Sequence, residues 1–162
     1  MTEPAPSAPT AGDRWRQAAV LASILATIAM NGLANLLPLM GRTTAEVSDA
    51  YPVPFTPAGY VFSIWGVIYL GLVVFGVWQA LPAQARDERL RAVAPWVILS
   101  GAFNVAWLVA WHADRVVASL LPMAGLAVSL IVVYERLRAG PQGTASRWAA
   151  RVPFAIYLGW IT

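Results

Sequence analysis

The side chains best suited to contact a ligand in this 162-residue sequence form an aromatic stripe in its second apolar segment. Phe62, Trp65 and Tyr69 recur at spacings of three and four residues, followed by Leu72 and Gly76, which places them on one face of a helix. Such a face either packs against neighbouring helices or forms the wall of a binding site. Core packing is the default interpretation when the stripe is considered by itself.

Polar side chains recur at helical spacing in the first apolar segment, and polar and aromatic side chains do so in the third. The two sets are Ser23, Thr27, Asn31 and Asn35 in the first segment, and Ser100, Asn104, Trp107 and Trp111 in the third. An amide at membrane depth is costly unless it is hydrogen-bonded, so we expect both sets to face the interior of a helical bundle. We expect Asn104 either to bond to Asn31 or Asn35, which is the favoured interpretation, or to contact a ligand directly.

Patterns typical of catalysis or metal binding are missing from the sequence. It contains no cysteine, which excludes a disulfide framework, a thiolate metal site and a cysteine nucleophile. His112, the only histidine, has the chemistry of an axial haem ligand, but its position beside Asp114 and Arg115 at a helix end favours an interfacial role. We therefore predict a protein that is not an enzyme, with no metal site and no obligatory cofactor.

The composition is that of a membrane protein. Hydrophobic residues make up 59% of the chain and charged residues only 12%, against about 25% charged in soluble domains. The lipid bilayer is therefore the first partner that we predict. All basic residues are arginines near the ends of apolar segments, a distribution that argues against nucleic acid as a partner.

Five uncharged segments predict an all-α integral membrane fold, a bundle of five transmembrane helices over residues 16–162. The predicted helices cover about 17–40, 58–81, 92–112, 116–134 and 150–162. The fifth has about half of the ~20 residues that a span requires, so we expect the chain to be truncated within it. Residues 1–15, rich in proline and small residues, are predicted to be a disordered tail. Thr56 and Pro57 are predicted to cap and open the second helix.

An imbalance of arginines sets the predicted orientation. With five spans, nine arginines fall on the side of the amino terminus, and only Arg42 and Arg115 fall on the other. The positive-inside rule then places the amino terminus in the cytoplasm. We expect a multi-pass protein of the cell membrane.

The loop from Gly41 to Thr56 lies on the side with few arginines. It contains Glu46 and Asp49, and prolines at 52, 54 and 57 stiffen its return toward the aromatic stripe. We predict that this loop is a lid that controls ligand exchange more than ligand contact.

Several short motifs occur in the order found in one family of membrane proteins. They are Phe55, Pro57, Tyr60, Phe62, Trp65, Ile68 and Tyr69 in the second segment, Asn104 and Trp107 in the third, and Tyr157, Leu158, Gly159 and Trp160 in the fifth. In this order they resemble the TspO/MBR family, the tryptophan-rich sensory proteins related to the mitochondrial translocator protein. Phe55 replaces the opening tryptophan of the family and Pro57 stands for its double proline, so the chain resembles a divergent branch.

The resemblance implies a membrane homodimer with a ligand pocket inside each five-helix bundle. Family ligands are porphyrins and haem, with sterols and benzodiazepine-type drugs in some members, so the implied ligand is a tetrapyrrole or a sterol-like molecule. Taken together, the resemblance and the inward-facing stripes predict as ligand-binding residues Tyr60, Phe62, Trp65, Tyr69, Asn104, Trp107, Trp111, Tyr157 and Trp160, with Asn31 and Asn35 as a polar stripe of the pocket.

We therefore predict an integral membrane receptor or sensor that binds a porphyrin, haem or a similar flat hydrophobic ligand. The resemblance extends to light-dependent porphyrin breakdown, which would need only tryptophans near a bound photosensitiser. The alternative is a small membrane transporter of an apolar or amphipathic metabolite. Asn31, Asn35, Asn104 and Pro122 motivate it, because polar groups and proline-interrupted helices occur on membrane pathways.

Overall fold

The computed structural model describes residues 9–37, 39–51, 59–139 and 143–162, which contain helices and turns and no strand. The α-helices are α1 (Ala11–Leu36), α2 (Thr44–Asp49), α3 (Ile64–Ala80), α4 (Glu88–His112), α5 (Val116–Arg138), α6 (Thr144–Ser146) and α7 (Val152–Ile161). Short 3₁₀ turns occur at Leu39–Gly41, Gly59–Ser63 and Pro82–Gln84, and a π-helical turn occurs at Arg147–Arg151. The predicted features at Phe55, Thr56 and Pro57 lie outside the described residues.

Four helices in the described part of the chain are long and apolar enough to cross a membrane. They are Ala11–Leu36, Tyr60–Ala80, Glu88–His112 and Val116–Arg138. A multi-pass helical membrane protein is therefore confirmed, but the predicted count of five spans is not. The predicted fifth span corresponds to α6, the π-helical turn and α7, and α7 itself has only 10 residues, fewer than the ~20 that a span requires.

Two long helices begin earlier than the sequence pattern predicts. α1 begins at Ala11, inside the predicted disordered tail, because Thr10 and Asp13 form a capping box. The backbone N–H group of each residue donates to the side chain of the other, in both cases at 3.2 Å, and so satisfies donors that a helix start leaves free. α4 begins at Glu88 rather than at 92, because the Asp87 carboxylate accepts hydrogen bonds from first-turn N–H groups.

Three other predicted helix limits also shift. α1 ends at Leu36 rather than at 40, and Leu37, which precedes a proline in the sequence, has an extended backbone, as residues before proline prefer. α5 extends to Arg138 rather than to 134, with two arginines in its last turn, where cations favour the helix dipole. The predicted second helix starts as the 3₁₀ turn Gly59–Ser63 before it becomes α3.

The hydrophobic core is shared by α1, α3, α4, α5 and α7. At its centre Phe75 of α3 and Phe154 of α7 meet edge to face, with ring centroids 4.9 Å apart and planes at 83°. Val20 of α1, Val93 of α4 and Leu130 of α5 are buried in the same cluster. The short helix α7 is therefore packed into the bundle as firmly as the long helices.

Buried polar contacts join the helices at the end of the bundle where nine arginines lie, here called the arginine-rich end. The Gln17 side-chain amide donates to the Gln79 carbonyl oxygen at 2.6 Å, and the Gln79 amide donates to the Gln17 carbonyl oxygen at 3.0 Å. Arg91 of α4 also pairs with Asp13 of α1 at 2.7 Å. These contacts fix α1 to both α3 and α4.

Gly101 allows α1 and α4 to approach each other closely. A Cβ atom at this position would lie 2.7 Å from Thr27 Oγ1 and 2.8 Å from Ser23 Oγ, distances that real Cβ contacts do not show. We expect Gly101→Ala to lower the free energy of unfolding by about 1–3 kcal/mol, because overpacking forces the helices apart. Unfolding by SDS titration measures this loss.

The matched control for Gly101 is Gly32→Ala in α1. A Cβ atom at Gly32 would meet nothing within 4 Å, so this variant is expected to be neutral or slightly more stable, since alanine favours helix by up to about 1 kcal/mol. Equal stabilities of the two variants would contradict the close α1–α4 contact.

Candidate functional site

Two adjoining cavities lie within the bundle at the end opposite the arginine-rich end. Their volumes are about 220 Å³ and about 270 Å³, each slightly below the roughly 300–1,000 Å³ typical of small-molecule sites, although together they fall within that range. Thr44, Phe62, Trp65 and Trp107 line both cavities. We treat the pair as one site and call it the aromatic cavity.

Four aromatic rings form a continuous row along the aromatic cavity. Neighbouring ring centroids are 5.7 Å apart for Tyr69 and Trp65, 6.4 Å for Trp65 and Trp107, and 5.8 Å for Trp107 and Trp111. The planes of successive rings differ by only 24° to 25°. The row therefore presents nearly parallel aromatic surfaces that span α3 and α4.

Trp65 is the ring that connects the row to the rest of the site. Besides Tyr69 and Trp107, it meets Tyr157 and Trp160 of α7 edge-on, with centroids 6.1 Å away in both cases. Edge-to-face contacts at such distances are favourable and fix ring orientation. Three helices therefore hold the Trp65 indole in place.

The opposite wall of the cavity is polar. Asn31 and Asn35 of α1 line the half of the cavity that Tyr69 also lines. The Asn35 amide donates to the Asn31 carbonyl oxygen at 2.8 Å, a bond within one helix that leaves its side-chain oxygen and its second N–H group free to face the cavity. A ligand bound here would meet both aromatic rings and amide groups.

Behind this wall, a chain of hydrogen bonds links three helices. The Asn31 amide donates to Asn104 Oδ1 at 2.7 Å, and the Asn104 amide donates to the Tyr157 hydroxyl at 2.7 Å. Asn104 has no exposed surface. The favoured prediction, a bond between Asn104 and either Asn31 or Asn35, is therefore confirmed with Asn31 as the partner, and Asn104 and Tyr157 do not line the cavity.

The described part of the predicted lid, residues 41–51, covers the cavity mouth. Its short helix α2 lines the cavity through Thr44 and Ser48 and buries Val47 completely against the bundle. The Trp111 indole N–H donates to the Thr44 carbonyl oxygen at 3.3 Å. The lid thus contacts the aromatic row directly, which the sequence pattern did not predict.

Asp114 holds the lid from outside the cavity. Its carboxylate accepts a hydrogen bond from the Tyr51 hydroxyl at 2.9 Å and pairs with Arg42 at 3.4 Å. The Asp114 hydrogen bond, more than burial, raises the pKa of the Tyr51 hydroxyl. Because these groups are partly exposed, each contact is individually weak, whereas the completely buried Val47 anchors α2 to the bundle.

A second capping box stabilises the lid helix itself. The Thr43 backbone N–H donates to the Glu46 carboxylate at 2.6 Å, and this bond lowers the pKa of Glu46. A lowered carboxyl pKa stabilises the folded state above the ordinary value of Glu, and this contribution is lost as the pH falls through the lowered pKa. We therefore expect α2 to weaken only under acid conditions.

His112 lies at the junction of α4 and the lid and is buried. Its Nδ1 lies 2.8 Å from the Leu108 carbonyl oxygen, so Nδ1 carries the proton, and its Nε2 lies 3.5 Å from Thr44 Oγ1. Both ring nitrogens are therefore turned toward protein atoms, in keeping with a structural role at the helix end. No group of three or more His, Cys, Asp or Glu residues among the described residues is placed to hold a metal ion.

The structure brings most of the predicted ligand-binding residues together. Those that line the aromatic cavity are Asn31, Asn35, Phe62, Trp65, Tyr69, Trp107, Trp111 and Trp160. Tyr60, implied by the family resemblance, differs from the prediction, because its side chain is 80% exposed and does not line the cavity. Residues that the sequence pattern missed are Thr44, Ser48, Met123 and Ile161.

Four helices long and apolar enough to span a membrane, together with a cavity lined by aromatic residues, define a multi-pass helical membrane protein. A family model described as TSPO-like protein matches residues 17–162. The chain therefore belongs to the TSPO-like family, which confirms the resemblance drawn from its motifs. No curated protein and no solved structure matches it.

Proposed function

We propose that this membrane protein is a receptor that binds a porphyrin, haem or a similar flat hydrophobic ligand in the aromatic cavity. The row of Tyr69, Trp65, Trp107 and Trp111, with successive planes within 25° of parallel, is the observation that supports this proposal best. A flat conjugated ligand can stack on an aromatic face that this row leaves open to the cavity, and burial of its apolar surface adds to that contact. Membership of the TSPO-like family agrees with this ligand class.

The contacts of His112 lead to a distinction between haem and iron-free porphyrin. Because both of its ring nitrogens face protein atoms, we propose that the macrocycle is held by stacking and by polar contacts at its edge, not by an axial histidine. Protoporphyrin and haemin should then bind with affinities within about threefold of each other, because the haem iron gains no bond to histidine. An iron–histidine bond that contributed only about 1.4 kcal/mol would already give a tenfold difference.

A titration of the full chain in detergent tests the proposed function. Protoporphyrin and haemin, added in the dark to avoid light-dependent breakdown, should quench tryptophan fluorescence saturably at about one equivalent per chain. Absence of saturation with either compound would contradict the proposal. Protein-dependent flux of an apolar metabolite across liposomes, without saturable porphyrin binding, would favour the transporter instead.

The proposed setting of this receptor follows from the arginine distribution and the family. We propose that the arginine-rich end, with nine of the chain's arginines, faces the cytoplasm together with the amino terminus. The lid would then lie on the outer side of the cell membrane. We also propose a homodimer, for which cross-linking of the full chain in membranes provides a test.

Loosening the lid should speed ligand release. Tyr51→Phe removes the hydrogen bond to Asp114 (2.9 Å) while keeping the ring, and loss of about 1 kcal/mol of lid contact corresponds to roughly fivefold faster release. The absorption spectrum of bound porphyrin should change little, because the cavity walls are intact. Stopped-flow displacement with excess competing porphyrin measures the release rate.

Two further variants provide a larger expected effect and a control for the Tyr51 experiment. Replacing residues 44–50 with a Gly/Ser linker should accelerate release further, since it removes the buried Val47 anchor. Asp49→Asn, an exposed change on the same short helix, should leave release unchanged. Unaltered kinetics in the linker variant would reduce residues 41–51 to a simple connection between helices.

A further inference from the structure

A second cavity-like feature lies on the outer surface of the bundle, in the groove between α4 and α5. It has a volume of about 510 Å³ and is lined by Trp96, Leu99, Phe103, Leu121, Ala124 and Val128. It shares no lining residue with the aromatic cavity. Leu121 and Val128 are 79% and 54% exposed, so the groove opens toward the surrounding lipid.

The depth of this groove depends on one close helix contact. A Cβ atom at Gly125 would lie 2.6 Å from the Phe103 ring, so the ring packs against bare backbone of α5. The space beside that ring is lined mostly by apolar side chains, and it extends over about 10 Å along α4 from Trp96 to Phe103, at 1.5 Å per residue. These dimensions suit an acyl chain.

A positively charged side chain, Arg136, lies at the Trp96 end of the groove. The Arg136 guanidinium lies 5.7 Å from the centre of the Trp96 ring, and its Nη1 donates to the Ala92 carbonyl oxygen at 2.5 Å. Arg136 is exposed and forms no ion pair with another described residue, whereas its neighbour Arg138 pairs with Glu135 at 3.4 Å. Four of its five N–H donors therefore stay available to an anion.

We propose that this groove binds a phospholipid with an anionic headgroup, its acyl chain beside Phe103 and its phosphate at Arg136. A guanidinium binds phosphate through paired hydrogen bonds, and the headgroup supplies the negative charge that the protein lacks there. A second copy of the chain that docked through the same groove would bring Arg136 no carboxylate from the groove, because none of the residues that line it is acidic. The homodimer proposed above would use another face.

Native mass spectrometry of the full chain tests this lipid site. The protein, purified in mild detergent, is incubated with phosphatidylglycerol or with phosphatidylcholine of identical acyl chains. We expect phosphatidylglycerol to be retained about tenfold more strongly, because both lipids carry a phosphate but the choline cation of phosphatidylcholine offsets its charge near Arg136. Arg136→Gln should abolish this preference, and Arg138→Gln, the matched control, should preserve it.

A second variant tests the apolar part of the site. Ala124→Trp fills the groove and should reduce retention of both lipids, while circular dichroism and thermal unfolding establish that the variant is folded. If it does not fold, Val128→Trp, at another exposed position of the groove, takes its place. Equal retention of the two lipids by the unaltered chain, an Arg136→Gln variant that keeps the preference, or a groove-filling variant that dissociates a dimer without losing lipid would each overturn the proposal.

Discussion

Trp65→Ala is expected to weaken protoporphyrin binding about 30- to 150-fold, the equivalent of about 2–3 kcal/mol. Trp65 lines both halves of the aromatic cavity and meets Tyr69, Trp107, Tyr157 and Trp160. Its removal therefore takes away a stacking surface for the ligand. It also removes the ring contacts that fix the orientation of the four neighbouring rings. Conservative changes such as Trp65→Phe and Trp107→Phe should have smaller effects, because a ring remains.

The measurement for Trp65 must not depend on tryptophan emission, because the variant removes one of the emitting rings. Equilibrium dialysis followed by porphyrin absorbance gives the dissociation constant directly. Trp148→Ala is the control, since this tryptophan is 63% exposed on the π-helical turn and lines neither half of the aromatic cavity. If Trp65→Ala binds as tightly as Trp148→Ala, the aromatic cavity is not the porphyrin site.

Asn104→Leu is expected to lower the free energy of unfolding by about 2–3 kcal/mol. The substitution nearly preserves the volume of the side chain but removes the acceptor for the Asn31 amide and the donor to the Tyr157 hydroxyl. One Asn31 amide hydrogen and the Tyr157 oxygen then lose their 2.7 Å contacts. Hydrogen bonds in membrane bundles average about 0.6 kcal/mol and reach about 1.7, and orphaned buried groups add to that cost. SDS titration followed by circular dichroism measures the loss.

Asn35→Leu provides the comparison for Asn104. Asn35 is exposed and bonds only within its own helix, to the Asn31 carbonyl oxygen, so its replacement should cost less than about 0.5 kcal/mol. For porphyrin affinity we expect the reverse, with the larger loss in Asn35→Leu, because Asn35 lines the cavity and Asn104 does not. A larger stability loss in Asn35→Leu than in Asn104→Leu would contradict the supporting role of the buried amide.

The parts of the site that lie on long regular helices could be predicted from the sequence. Phe62, Trp65 and Tyr69 share a helical face by spacing alone, and Asn31 and Asn104 were expected to pair because an amide in a bundle needs a partner. Both expectations depend on local periodicity and on the cost of burying polar groups. Tyr60 could not be placed in this way, because it is not part of the stripe spaced at three and four residues and was implied by the family resemblance alone.

The parts that depend on distant contacts could not be predicted. Thr44 and Ser48 line the cavity only because α2 folds over it, and Met123 contributes from α5 across the bundle. No spacing rule links these residues to the aromatic stripe. The start of α1 is a different case, because Thr10 and Asp13 had the spacing of a capping box, and the proline-rich sequence before them led to the prediction of a tail.

The two ends of the bundle are secured unequally, and this determines where it can move. Gln17 and Gln79 exchange buried hydrogen bonds at the arginine-rich end, whereas Tyr51 and Arg42 hold Asp114 in exposed contacts at the other end. Breathing motions of the helices should therefore pivot about the glutamine pair, with amplitudes that grow toward the lid. A ligand leaving the aromatic cavity would pass through the lid end, where the helices separate most. Backbone amides near Gln79 should therefore exchange hydrogen more slowly than those near Trp111.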